Sequence, residues 1–350
     1  MVLCMSKIKI KNIYYMLSYA FRTLSEDKYK DIEAEEFEYT ADLMAAILAK
    51  GISGQIKRGL GRDYVIQTES LSSPKGKIGI SDSIKELTML NGRLICSYDS
   101  YEKNTYMNQV LKSTVILLIN SDEVKPEHKK ELKKVLLFFN GVDEVYLKSV
   151  KWNDFTYTRN NSTYKMLMNI CEYVVKGLLP TEEEGSKRLH RYLDDRQLHN
   201  LYEKFILEYY KKHYPEFNAA AAMVDWDVDD GYKALLPAMR SDITLEYHGK
   251  TTIIDAKFYS RMLQYNSFFN SKTIHSNNIY QIFSYVKNKD VKHDGSVSGI
   301  LLYAKTEDEK ALDESYMMSG NSISVKTLDL NQEFSQIRET LDRIAINAKG

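Results

Sequence analysis

The sequence predicts an α/β (α+β) chain, with helices flanking a small mixed sheet in the C-terminal half and a mixed α+β domain before it. Three observations predict it. Thr251 to Ile254 is an unbroken β-branched run that suits a pleated, largely buried strand. Two further strand-like runs, Gly299-Ile300-Leu301-Leu302-Tyr303 and Ser322-Ile323-Ser324-Val325, follow it, with helical stretches before, between and after the three. Strands alternating with helices build layered cores around one sheet. The third observation is length, since 350 residues fit two domains, each large enough for its own core. The clearest break, Arg159-Asn160-Asn161-Ser162, sets the expected division into residues 1–160 and 161–350.

The first domain opens with an amphipathic helix over residues 11–24. A second helix runs from Thr40, placed as its N-cap, to Leu60. Within it Met44, Leu48, Ile52, Ile56 and Leu60 recur every four residues, so one face is buried. Strand-like pieces at Asp63 to Thr68 and Arg93 to Tyr98 lie on either side of the turn-rich Ser72-Ser73-Pro74-Lys75-Gly76-Lys77. Asn108 to Ile119 and Pro126 to Phe139 read as helices, and Gly141 to Asn161 is mixed and polar. The second domain begins with a helix from Tyr164 to Gly177, stopped by Pro180. An acidic loop at Glu182 to Gly185 leads to the basic-aromatic run Lys187-Arg188-Leu189-His190-Arg191-Tyr192, which reads either as a DNA-backbone contact or as an exposed helix entry. Helices are predicted over Leu198 to Tyr210, Asn278 to Val286 and Gln332 to Ala348.

The chemistry concentrates between Arg240 and Lys257. Side chains alternate faces along a strand, so Asp255 and Lys257 point one way and Ala256 the other. A hairpin through Tyr247-His248-Gly249-Lys250 brings the preceding strand alongside and places Asp242 near Asp255. Two carboxylates and an amine then converge. Hard oxygen ligands of this kind suit Mg²⁺, with the backbone carbonyl of Ala256 as a further oxygen. Metal-assisted hydrolysis follows, with Lys257 orienting or deprotonating the attacking water. On a surface strand the same tripeptide would be an exposed ion pair of little consequence. Here it ends a buried-looking strand, where an uncompensated charge is costly. Gln281 and Tyr285 sit one turn apart on the later helix, and Glu203 lies on the earlier one among Leu201, Phe205, Ile206 and Tyr209.

That order, Glu203, Asp242, Asp255-x-Lys257, then Gln281 and Tyr285, matches the wider pattern of PD-(D/E)xK nucleases. Four separated blocks resemble the McrC family, the nuclease subunits of McrBC modification-dependent restriction systems: Ile8 to Phe21, Leu236 to Ile243, Ile254 to Tyr259 and His275 to Gln281. The resemblance implies a restriction-endonuclease-like core and places metal carboxylates at Asp242 and Asp255 and the lysine at Lys257. The roles of Glu203, Gln281 and Tyr285 come from the broader superfamily pattern. It also implies a partner, a hexameric McrB-type AAA+ GTPase that reads double-stranded DNA with modified cytosine. The N-terminal residues 1–160 would engage that ring and stimulate GTP hydrolysis while residues 161–350 cut, with Mg²⁺ as cofactor and GTP bound by the partner only. Two alternatives stay open: a repair or recombination nuclease with no GTPase partner, and a noncatalytic assembly subunit.

Composition bounds the rest. Lysine plus arginine equals aspartate plus glutamate at 48 each, so no global positive field draws the chain to DNA. Residues 50–93 carry eight basic side chains against four acidic ones, a patch that is either plain solvated surface or a match for a partner's acidic face. Lys57 to Lys77 within it is the candidate for stimulating the GTPase. The nearest glycine-lysine, Gly76-Lys77, lacks the phosphate-loop spacing, so nucleotide binding by that route is not expected. Cys4, Cys96 and Cys171 are scattered, no zinc site is expected, and no apolar run approaches about 18 residues, so the expected setting is cytoplasmic, without a membrane. His275 lies in a family-like block but is a lone histidine in a polar loop, and His190, His199 and His213 have no ligand spacing.

Overall fold

A computed structural model describes residues 8–21, 24, 29–158, 161, 163–178, 195–259, 263–266, 271–305 and 311–350. The stop at Pro180, the acidic loop and the basic-aromatic run up to Tyr192 lie outside the described residues, as do Arg159, Asn160 and Ser162. Packing divides the chain into two units, residues 1–38 with 193–350, and residues 39–192. The second is thus inserted into the first. This differs from a cut at 160/161, because the helix at 164–178 packs with the inserted unit and the N-terminal helix packs with the C-terminal residues.

In chain order the first unit contributes α1 (Ile10–Ala20) and α2 (Lys30–Ala34). The inserted unit holds α3 (Thr40–Arg58), β1 (Asp63–Leu71), β2 (Lys77–Ile78), α4 (Ile80–Lys85), β3 (Leu94–Glu102), α5 (Tyr106–Asn120), α6 (Pro126–Leu136) and α7 (Tyr164–Leu178). The first unit resumes with α8 (Asp195–His213), β4 (Met223–Val224), β5 (Met239–Arg240), β6 (Ile243–Tyr247) and β7 (Lys250–Phe258). It ends with β8 (Leu263–Asn266), β9 (Ser271–Ile274), α9 (Ser276–Lys289), β10 (Val297–Lys305), β11 (Asp313–Met318), β12 (Asn321–Asp329) and α10 (Phe334–Lys349).

In the inserted unit α3 is central, packed against α5, α6 and α7. Its first ten residues are almost all buried, so the four-residue stripe understates it; Met44, Leu48 and Ile52 are in the core, while Ile56 and Leu60 are half-buried. Tyr39, not Thr40, is the N-cap, and no side chain caps it. The buried Asp42 instead serves α6: its Oδ1 accepts the Lys125 backbone N–H at 2.9 Å and lies 2.6 Å from His128 Nδ1. The stretch read as one helix to Phe139 tightens into a 3₁₀ turn after Leu136. β1, β3 and β2 form an antiparallel sheet. Along it, α4 and the turn that follows α4, large apolar side chains face solvent, among them Tyr64, Ile66, Ile84, Leu87 and Leu90.

The first unit is built on a five-stranded mixed sheet in the order β11-β12-β10-β7-β6. β10 runs parallel to both β7 and β12, and β6 and β11 are antiparallel edges. The β6–β7 turn is the predicted one. His248 (φ 46°) and Gly249 (φ 80°) both take left-handed backbone, as a two-residue hairpin of matching twist requires. β11 was not legible because Asp313 to Met318 is a mostly exposed edge with no apolar alternation. β7 is central and buried from Thr252 to Phe258. α9 covers the face carrying Ile253, Leu301 and Tyr303, whereas Phe258 meets Tyr202 of α8 on the other side.

Gly299 lets α9 approach this closely, since a Cβ there would lie 2.7 Å from Ile282 Cγ1 and 2.8 Å from Val286 Cγ2. Gly299→Val should therefore overpack the interface and cost about 1–3 kcal/mol, read as a lower urea midpoint at unchanged slope. No helix among the described residues is long and apolar enough to cross a membrane.

Candidate active site

The register of β6 against β7 builds the site. Ile243 pairs with Ile254, so Asp242 and Asp255 stand opposite one another just beyond that pair. Asp242 Oδ2 accepts the Ala256 backbone N–H at 2.8 Å, which fixes its carboxylate across β7. Asp255 and Lys257 share the Ile253 face, which α9 covers. Lys257 Nζ donates to Asp255 Oδ1 at 3.0 Å and to Gln281 Oε1 at 3.1 Å, and Gln281 Nε2 donates to the Tyr285 hydroxyl at 2.9 Å. One hydrogen-bonded chain thus joins Asp255, Lys257, Gln281 and Tyr285, with Asp242 tied in through Ala256. The Ala256 contact observed is made by its N–H.

Glu203, on α8, joins by charge. Its negative field acts on both aspartates, while its Oε1 lies 2.7 Å from His199 Nε2. His199 is a residue the sequence reading passed over. The signal was present as the i, i+4 spacing of His199 and Glu203 on one helix face. Hydrogen bonding to Glu203 raises the imidazole pKa against the opposing effect of burial, and His199 Nδ1 is buried with no hydrogen-bond partner among the described residues. His275 is the α9 N-cap, with its ring 5.4 Å from that of Tyr259. His213 lies with Tyr19, Nε2 to hydroxyl 2.8 Å, in packing unrelated to the carboxylates.

The electrostatics are those of an acid-rich hollow. Burial, then repulsion from Asp255 and Glu203, pushes the Asp242 carboxyl up to about 7 against the help of the Ala256 N–H and Lys257. Asp255, fully buried, is raised mainly by burial, which outweighs its attraction to Lys257. Burial works to deprotonate Lys257, but Asp255 and Asp242 more than offset it, so its ammonium is held. Asp255 Oδ2 lies 2.9 Å from Lys257 Nζ, so both of its oxygens face the ammonium. Three acids therefore face one lysine and one histidine in a partly desolvated space, a costly arrangement without further positive charge.

A divalent cation fits this donor set. Asp242 and Asp255 offer hard oxygens from opposite strands. Among the described residues no group of three or more histidine, cysteine, aspartate or glutamate side chains is arranged to hold an ion. Two carboxylates completed by water and substrate are what Mg²⁺ commonly takes. A cavity of about 340 Å³ opens beside them, lined by Asn200, Glu203, Lys204, Arg240 and Asp242 among others. A larger one, about 500 Å³, lies at the far end of β7 around Lys250 and Glu246, away from the aspartate pair.

The sequence model of the family described as "McrBC 5-methylcytosine restriction system component" matches residues 5–304. A curated relative from Escherichia coli (strain K12), "Type IV methyl-directed restriction enzyme EcoKMcrBC", is 27% identical over 338 residues, covering 95% of this chain and 96% of its own length. Among solved structures, a chain of the "Refined half-complex from tetradecameric assembly of Thermococcus gammatolerans McrB AAA+ hexamers with bound McrC" shares the fold. Its TM-score is 0.54 at 14% identity, over 96% of this chain and 76% of that one. With the family match spanning most of its length, the chain belongs to the McrBC restriction system component family.

Proposed function

We propose that this chain is the DNA-cutting subunit of a modification-dependent restriction complex, a Mg²⁺-dependent endonuclease that works with, and stimulates, a hexameric McrB-type AAA+ GTPase. The observation that carries this reading is the Asp242–Asp255–Lys257–Gln281 cluster, in a chain of the McrBC family. Asp242, Asp255 and the carbonyl of Ala256 would hold the cation. When bound it would lower the pKa of a water and stabilise charge on the phosphate. Lys257, fixed between Asp255 and Gln281, orients the attacking water and faces the developing charge. Tyr285 holds Gln281, and Gln281 holds the lysine. Glu203 adds negative field that favours a cation over an empty site. GTP belongs to the partner, as the sequence lacks a phosphate loop.

Residues 1–38 with 193–350 would cut, and the inserted unit would engage the ring. Its solvent-facing apolar side chains beside the basic stretch from Lys57 to Lys77 suit a protein partner. Leu87→Ser with Leu90→Ser should lower GTPase stimulation by roughly tenfold or more. The melting temperature should hardly move, because both side chains are exposed.

The test of the main reading is Asp255→Asn in the assembled complex, with modified and unmodified DNA as substrates. Cutting of modified DNA should fall by at least about 10³-fold, while ring binding and GTPase stimulation persist. Cutting that survives in Mg²⁺ would remove Asp255 from the chemistry. Absence of any GTPase stimulation by the wild type would favour a nuclease without a ring.

A further inference from the structure

The cavity beside Asp242 is lined by both signs of charge. Glu203 and Asp242 are acidic, and Asn200, Lys204 and Arg240 supply donors. Lys204 is engaged, its ammonium 4.1 Å from the centre of the Phe21 ring. Arg240 is different. It is exposed, and among the described residues its side chain makes no hydrogen bond or ion pair, although it shares the cavity with two carboxylates.

Its backbone, in contrast, is fixed. Arg240 pairs with Met223 in the β4–β5 ladder. The next residue, Ser241, is buried; its N–H donates to the Ala222 carbonyl at 3.0 Å and its hydroxyl lies 2.7 Å from the Thr244 hydroxyl. A free guanidinium is thus carried on an anchored segment, two residues before a proposed metal carboxylate and lining the same cavity. With no net charge on the chain, strand placement must come from such local cations.

We propose that the cavity is a subsite for the DNA backbone and that Arg240 binds the phosphate next to the scissile one, setting the position of the strand relative to Asp242. The cavity, about 340 Å³, has room for a short stretch of one strand but not for a duplex. Guanidinium suits this task, since it offers a planar pair of N–H donors to phosphate oxygens and stays charged throughout. Arg240 is a positioning residue, and the inference rests on the nuclease reading above.

The test compares wild type, Arg240→Met and Arg240→Lys as full chains assembled with the GTPase. Binding to a short duplex is measured in Ca²⁺ over a range of salt, and cutting in Mg²⁺. Arg240→Met should weaken binding roughly ten- to hundredfold and reduce the salt slope by about 1, with the melting temperature unchanged; Arg240→Lys should recover part of the affinity. In addition, a single uncharged methylphosphonate next to the cut position should weaken wild-type binding and have little effect on Arg240→Met. Wild type that binds and cuts while Arg240→Met keeps its affinity, salt slope and methylphosphonate sensitivity overturns the subsite alone. Wild type that neither binds nor cuts DNA overturns the nuclease reading with it.

Discussion

Asp242→Asn is expected to cut no DNA and yet, in EDTA near about pH 8, to melt at a higher temperature than the wild type. Asp242 is held in a partly buried site beside two other acids, and its carboxyl is raised to about 7. The folded state therefore binds this proton more tightly than the unfolded chain, whose aspartates titrate near about 4. The stability this proton contributes is fully present below about pH 4 and is lost as pH rises through about 7. Across that window the metal-free protein should lose on the order of 2–4 kcal/mol from this group. The asparagine removes the loss while its amide oxygen still accepts the Ala256 N–H. A gain of about 5 °C in EDTA, with the slope of stability against pH flattened, is the expected result. Divalent cation should raise the wild-type melting temperature and leave that of Asp242→Asn almost unmoved.

Asp255→Asn should gain less. Burial raises its carboxyl too, but the asparagine gives up the ion pair with Lys257, which offsets part of the relief. Both variants lose cutting, and the gain at Asp242 is the larger. A larger gain in EDTA for Asp255→Asn than for Asp242→Asn would contradict the charge distribution described for the site.

The second large effect concerns where the nuclease unit begins. A fragment of residues 161–350 should fail to fold cooperatively, because it lacks α1. That helix buries Ile13, Tyr14, Met16 and Leu17 within the first unit. Asn12, itself buried, donates through Nδ2 to the carbonyls of Leu330 and Gln332, both at 2.8 Å. Tyr15 stacks on Phe334 with ring centres 4.1 Å apart. At about 1.5–3 kcal/mol for each large apolar side chain buried, removing this helix forfeits a sum comparable to the whole stability of a domain. Asn12→Ala in the full chain should cost about 2 kcal/mol, since it leaves the buried Leu330 carbonyl without its donor and removes a second, part-buried bond to Gln332. A 161–350 fragment with a sharp thermal transition would refute the assignment of α1 to this unit.

The way the candidate-site residues are brought together was legible in the sequence because strand chemistry is local. Alternation fixed the shared face of Asp255 and Lys257, and the left-handed pair His248-Gly249 fixed the hairpin that sets Asp242 opposite. Gln281 and Tyr285 followed from one helical turn. His199 was missed because a histidine four residues before a glutamate gains meaning only when their helix meets the carboxylates. The domain boundary was displaced for a related reason. The turn signals near Asn161 mark a real break in regular structure, but whether α7 packs forward or backward depends on contacts with α3 and α5, distant in sequence. The insertion of one unit into another leaves no local trace.

Calorimetric titration of the full chain with Mn²⁺ or Mg²⁺ is the most direct measurement of the central proposal. One divalent site is expected, abolished in both Asp242→Asn and Asp255→Asn and retained when Lys257 is replaced by methionine. Binding of equal strength in the two aspartate variants, or none in the wild type, would contradict it.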